Sequence, residues 1–249
     1  MKLEDLKNRW HENQLLKEVR EECISNQPPR GISQRDWYEQ FTPKEIHPYS
    51  NKYCADLRGI DFNQVTFGEG YWFTEARLDN ASFAKAKIHS ANFQHAVLIF
   101  ADFSSSELIS ASFSPVYAHG ANFERARIER SHFAGWGPIR MGGEYVTNLS
   151  STNFQNCITS KTDFGSTDFR RADFRGAHFI DCKFRNSDLR AIVFDEHTRF
   201  IRCDFHSAFI DEYFPYINAF RKGMYDTVQA PENMDRVNWI QGIGLPGRA

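Results

Sequence analysis

Nine histidines and five cysteines are the residues best suited to metal or nucleophilic chemistry in this 249-residue chain, and their spacing supports neither. A structural or catalytic zinc centre draws its ligands from short-spaced Cys and His pairs. Cys23, Cys54, Cys157, Cys182 and Cys203 form no CxxC or comparable pair. No GxSxG elbow, phosphate loop or GxGxxG element occurs, and Gly68-Glu69-Gly70 lacks the rest of any phosphate-binding pattern. The sequence therefore offers no catalytic, cofactor-binding or metal-ligating set, and a non-enzymatic protein is expected.

Recognition is the chemistry that remains. Residues Ala134–Val146 hold four glycines, a proline, Trp136, Arg140, Glu144 and Tyr145. Aromatic rings and arginine are enriched among residues that dominate protein interfaces. Trp136, Arg140, Glu144 and Tyr145 are accordingly the candidate partner-binding residues, and loops on a rigid scaffold are where such function concentrates. The alternative is a tolerated insertion, or a loop folded flat over the body of the protein.

A five-residue repeat surrounds this segment. From Ala76 to Ser131 twelve consecutive blocks begin with a small residue and carry an apolar one two places later, from Leu78 to Phe133, the weakest being Ala118. A second run has centres at Leu149, Phe154, Thr159, Phe164, Phe169, Phe174, Phe179, Phe184, Leu189 and Phe194, and continues after a one-residue slip at Phe200, Phe205 and Ile210. Three earlier blocks are centred on Leu57, Phe62 and Phe67, with another slip near Gly68–Gly70. Neither a helix nor a plain strand has a period of five, so the pattern marks a repeat architecture.

Blocks such as Ala55-Asp56-Leu57, Ala91-Asn92-Phe93, Ala101-Asp102-Phe103 and Ala172-Asp173-Phe174 resemble the pentapeptide-repeat family. The resemblance implies an all-β solenoid, a right-handed quadrilateral β-helix in which four blocks make one coil. The third residue and the small first residue of each block then point inward, and the other three face solvent. Phe alternates with Leu, Ile or Ala from Phe73 to Phe133, so four blocks per coil place Phe on two opposite walls and aliphatics on the other two. Large against smaller side chains fill a narrow core without voids. His89, His119, His132, His178 and His206 fall on outward positions, while Cys157, Cys182 and Cys203 fall on the inward small position. About seven coils are expected.

The expected organisation is a helical or irregular N-terminal cap (1–54), a first repeat part (55–133), the inserted loop (134–146), a second repeat part (147–210) and a C-terminal helical cap or dimerisation segment (211–249). Apolar spacing predicts an amphipathic helix from Lys2 to Ser25, ended by Pro28-Pro29, a short helix near Arg35–Phe41, a helical run through Tyr213, Ile217, Phe220 and Met224, and another from Glu232 to Gln241. Solenoid ends need such covers because they expose backbone and an apolar bore.

Composition narrows the function. With 30 basic and 32 acidic residues, the net charge of −2 implies no strong attraction to nucleic acid or membrane. The start lacks the apolar stretch of a signal peptide, so a cytoplasmic protein is expected. The leading reading is a rigid scaffold for an unidentified protein partner, with homodimerisation through the C-terminal segment an option. A second reading comes from the resemblance: quinolone-resistance members of the family mimic duplex DNA and protect type II topoisomerases. Mimicry calls for an acidic surface, yet Ala55–Phe133 holds nine acidic and seven basic residues and Ser151–Ile210 eight and nine.

Overall fold

The computed structural model describes residues 3–12, 17, 21, 44–50, 53–67, 73–137, 139, 145–211 and 238–240. Within them the five-residue blocks fold as the edges of a square coil, a right-handed quadrilateral β-helix. Each block contributes one short edge to a wall, and successive coils pair in parallel.

One wall is built from strands β3 (Thr66–Phe67), β4 (Lys87–His89), β5 (Glu107–Ile109), β6 (Arg127–Glu129), β8 (Ile158–Ser160), β10 (His178–Ile180) and β11 (Arg199–Ile201), hydrogen-bonded in that order. Seven strands give six coil-to-coil steps, about 29 Å at ~4.8 Å per step. The register reads the sequence spacing directly. Leu108 pairs with both Ile88 and Ile128, twenty residues away on each side. Phe67 pairs with Ile88 and Phe179 with Phe200 across twenty-one residues, so each slip is absorbed between coils. Ile128 pairs with Thr159 across thirty-one, leaving the insertion outside the ladder.

The second slip has a visible device. The Asp195 carboxylate accepts from the backbone N–H of Gly176, His197 and Thr198, and the Thr198 hydroxyl donates to the carbonyl of Phe174. The extra residue is folded into this capped corner, and the ladder resumes at β11.

Inside, the centres are fully buried. On one wall Phe83, Phe103, Phe123 and Phe154 stack nearly parallel at 4.7–5.1 Å. On the opposite wall Phe93, Phe113 and Phe133 stack at 4.4–4.6 Å, and the column continues through Phe164, Phe184 and Phe205. The first column breaks between Phe154 and Phe174, whose rings meet at 87°. There Phe169 and Phe179 replace the aliphatic centres of the other two walls, and the rings turn edge-on to share the bore.

Most corners end on a residue with a left-handed backbone, from Gly59 (φ 70°) to Ser207 (φ 57°), and nearly all of these are not glycine; the corner at the cis Ser114-Pro115 bond is an exception. On three of the four walls the corner closes with a bond such as Ala101 N–H to Leu98 C=O (3.0 Å), the four-residue turn whose third residue needs positive φ. The second-position Asp or Asn serves this corner. Asn92, Asp102, Asn122, Asn153, Asp163 and Asp173 each accept the N–H two residues on. This position is thus structural, not merely solvated.

Most inward hydroxyls and thiols are satisfied by carbonyls, Thr147 being an exception whose hydroxyl has no partner. Ser106 and Ser187 donate to Phe103 and Phe164 (2.7 Å each), and the Cys203 thiol reaches the Phe179 carbonyl at 3.3 Å. Cys157, Cys182 and Cys203 are buried free thiols, as their block position predicts. Burial pushes the Cys157 thiol up to about 12, so it stays protonated.

The ends are covered differently from one another. Helix α1 (Leu3–Glu12) docks on the first coil through Leu6 and Trp10. The Trp10 indole donates to the Arg58 carbonyl (2.8 Å), and Arg9 forks onto the Asp56 carboxylate (2.9 and 3.0 Å). Burial raises the Asp56 carboxyl, but bonds from Arg58 and Arg9 outweigh it and hold the group well below the usual carboxylate range. Strand β1 (Lys44–Ile46) lies antiparallel to β2 (Tyr53–Ala55). At the other end β7 (Thr147–Asn148), β9 (Thr167–Asp168) and β12 (Phe209–Asp211) follow one wall, and β13 (Asn238–Ile240) adds parallel to β12. Residues 238–240 are therefore strand, where apolar spacing predicts helix from Glu232 to Gln241. The exposed ladder edge of Phe209–Asp211 decides it, by offering backbone partners that a helix would leave unused. Most of the predicted helix beyond Glu12, the Arg35–Phe41 helix and the Tyr213–Met224 run lie outside the described residues.

Candidate interaction site at the insertion

The insertion leaves the coil after Phe133, which is buried in its wall, and returns at Val146 and Thr147, both buried. Its two arms are tied by backbone. Gly135 N–H donates to the Gly165 carbonyl (2.8 Å), and the N–H groups of Trp136 and Gly137 both donate to the Tyr145 carbonyl (2.8 and 3.2 Å). Gly135 is needed here because a Cβ would sit 2.6 Å from the Ser166 carbonyl oxygen and 2.7 Å from that of Tyr145. The closure joins the backbones of two exposed aromatic residues at the base of the loop. Trp136 is 57% exposed and Tyr145 45%. Arg140 and Glu144, the other two candidates, lie outside the described residues.

Trp136 meets the His95 ring edge-on at 4.8 Å. The His95 carbonyl in turn accepts from His47 (2.8 Å), and Tyr49 stacks on Tyr117 at 3.8 Å. An aromatic path thus runs from the insertion across a corner to the segment after β1. Sequence reasoning missed His47, Tyr49 and Tyr117. The signal was Val97 and Tyr117, apolar residues at outward positions of one wall, which imply that something covers that wall.

The outward faces of the second half carry paired charges. Arg170 bonds Asp168 (2.6 Å) and approaches Asp188 on the next coil (3.7 Å). Arg175 pairs with Asp173, Arg190 with Asp188, Arg202 with Asp181 and Arg185 with Asp204. The exposed pairs of Arg175, Arg185 and Arg202 stabilise by about 1 kcal/mol or less each, while the Asp168 and Asp188 carboxylates are themselves buried. Their effect is electrostatic: the carboxylates are neutralised where they stand. His89, His119, His132, His178 and His206 are at least partly exposed. Among the described residues, no group of three His, Cys, Asp or Glu could hold a metal ion, and no helix is long and apolar enough to cross a membrane.

Fold and site together define a β-solenoid interrupted by one inserted loop. A sequence model of the family described as pentapeptide repeats matches eight copies, over residues 72–98 and 147–192. The repeats of this chain are pentapeptide repeats. Solved structures similar to it include a pentapeptide-repeat protein of the Arabidopsis thaliana thylakoid lumen, with 26% identity over 53% of this chain and 69% of that one, at a TM-score of 0.35. HetL, involved in heterocyst differentiation regulation in the cyanobacterium Nostoc, has 14% identity over 63% of this chain and 81% of its own, at 0.22. The plasmid-mediated fluoroquinolone resistance protein QnrB1 has 16% identity over 66% and 85%, at 0.26. No curated protein matches the chain.

Proposed function

We infer that this protein is a non-enzymatic, rigid interaction scaffold that takes a protein partner at the base of the insertion. One observation carries the reading: Trp136 and Tyr145 are pinned together and exposed on a rod whose walls are otherwise near-uniform. Specific recognition needs a departure from uniformity, and this is the largest one inside the repeat. The free thiols of Cys157, Cys182 and Cys203 fit a reducing compartment such as the cytoplasm.

The test replaces residues 134–146 with one regular block. The ladder already bypasses them, and a shorter loop closes at less entropic cost, so the fold is expected to hold or gain slightly. Recovery of the partner in a pull-down beside the parent protein should fall, and Trp136→Ala or Tyr145→Ala alone should weaken binding by about 2 kcal/mol. Equal recovery by a deletion variant that circular dichroism shows to be folded would assign binding to the walls or ends.

Topoisomerase protection is the competing reading, and the neutralised carboxylates of the second half count against it. Purified protein is expected to leave gyrase supercoiling unchanged and to give no rescue from a quinolone. Inhibition at stoichiometric levels would reverse the ranking.

A further inference from the structure

The segment that follows β1 is not a passive connection. His47 is 1% exposed, and its ring is bonded at both nitrogens. Nε2 lies 2.8 Å from the His95 carbonyl, an acceptor, so Nε2 must carry the proton. Nδ1 faces the backbone N–H groups of Tyr49 (3.3 Å) and Ser50 (3.2 Å), both donors, so Nδ1 must be bare. The closed arrangement therefore needs a neutral imidazole in one tautomer. A proton on Nδ1 would point at two N–H groups inside a buried site.

Residues 47–50 lie over a wall. Tyr49 stacks on Tyr117, which is 4% exposed, and Val97, bridged to Tyr117 on the neighbouring coil, is fully buried, although both occupy outward positions of their blocks. We propose that residues 44–50 form a strap that is latched when His47 is neutral and released when it is protonated, baring the Val97–Tyr117 patch.

The charged and titratable groups facing the imidazole are Glu75, Arg77 and Asp79 on the wall, with the rings of Tyr49 and Tyr117 at 6.1 Å. Burial is the strongest influence and lowers the imidazole's proton affinity. The His95 carbonyl, Glu75 and Asp79 oppose it, and Arg77 reinforces it. Asp79 is paired with Arg77 at 3.0 Å, yet burial pushes its carboxyl up. The folded value of His47 thus lies below the ordinary ~6.5 of the opened strap. The latch is complete above that value and weakens as pH falls from it towards the lowered one.

Amide hydrogen exchange, corrected for the intrinsic rate, tests this on the whole chain. Between pH ~7.5 and ~5.5, opening at residues 47–50 should rise several-fold, with about tenfold the ceiling set by the ordinary imidazole value, while coil amides such as those of Phe93 and Phe103 keep their protection. His47→Gln retains a donor for the His95 carbonyl but cannot titrate, so its strap should show no pH response. The midpoint of opening should also track the His47 ring signal in proton NMR of the parent protein. Flat exchange in the parent, an equal pH response in His47→Gln, or a midpoint that departs from the ring titration would each overturn the proposal.

Discussion

Phe103→Ala is expected to destabilise the rod by about 3–5 kcal/mol and to lower its denaturation midpoint sharply. The ring is fully buried, lies 4.7 Å from Phe83 and 5.1 Å from Phe123 within a few degrees of parallel, and meets Phe93 and Phe113 edge-on at 5.9 and 5.8 Å. Truncation removes these contacts and leaves a ring-sized void that cannot collapse. The coils above and below are held at a fixed spacing by ladder bonds such as Phe83 N–H to Asp102 C=O and Phe103 N–H to Asn122 C=O. Denaturant titration of parent and variant checks it, and a variant that unfolds with the parent would remove the inward register itself.

Trp10→Ala is the second large effect, about 3–5 kcal/mol, and its footprint should be local. The indole is 1% exposed, donates to the Arg58 carbonyl and carries the Arg9 guanidinium 5.0 Å from its ring centre. The backbone of Leu6 packs so close to Gly59 that a Cβ there would lie 2.7 Å from the Leu6 carbonyl oxygen. Losing the indole frees the helix and uncovers the first coil. Because each coil is stabilised mainly by its neighbours, exchange should accelerate in residues 55–67 while the coil around Phe164 stays protected. Uniform loss of protection along the rod would mean that Trp10 supports a global fold, not an end.

Most of the solenoid was legible because its determinants are local. A small residue two places before Phe93, Phe113 or Phe133 states which side chains turn inward, and the added residues near 68–70 and 195–198 reappear as twenty-one-residue registers. The ring columns followed from the period of ten. What was not legible depends on chain meeting chain. The break between Phe154 and Phe174 requires knowing that Phe169 and Phe179 share their bore. Strand β13 answers a free ladder edge that no pattern within Asn238–Ile240 announces. At the candidate site the excursion itself was evident from the sixteen-residue step from Phe133 to Leu149, where one block takes five, and Trp136 and Tyr145 stood out by type. Their pairing rests on one backbone carbonyl, which side-chain identity does not encode. The covering of Tyr117 depends on Tyr49, sixty-eight positions earlier in the chain.

The ladder bonds all run along the rod, from each coil to the next, and this gives the molecule a mechanical grain. Tension applied at the two ends meets the bonds one coil at a time, so the rod yields by peeling and not by shearing. Each released coil of about twenty residues pays out roughly 65–70 Å of chain. The coil that carries the insertion is longer by eleven residues and pays out about half as much again. A load across the rod is shared instead by all four walls. The same protein is thus compliant along its axis and stiff across it.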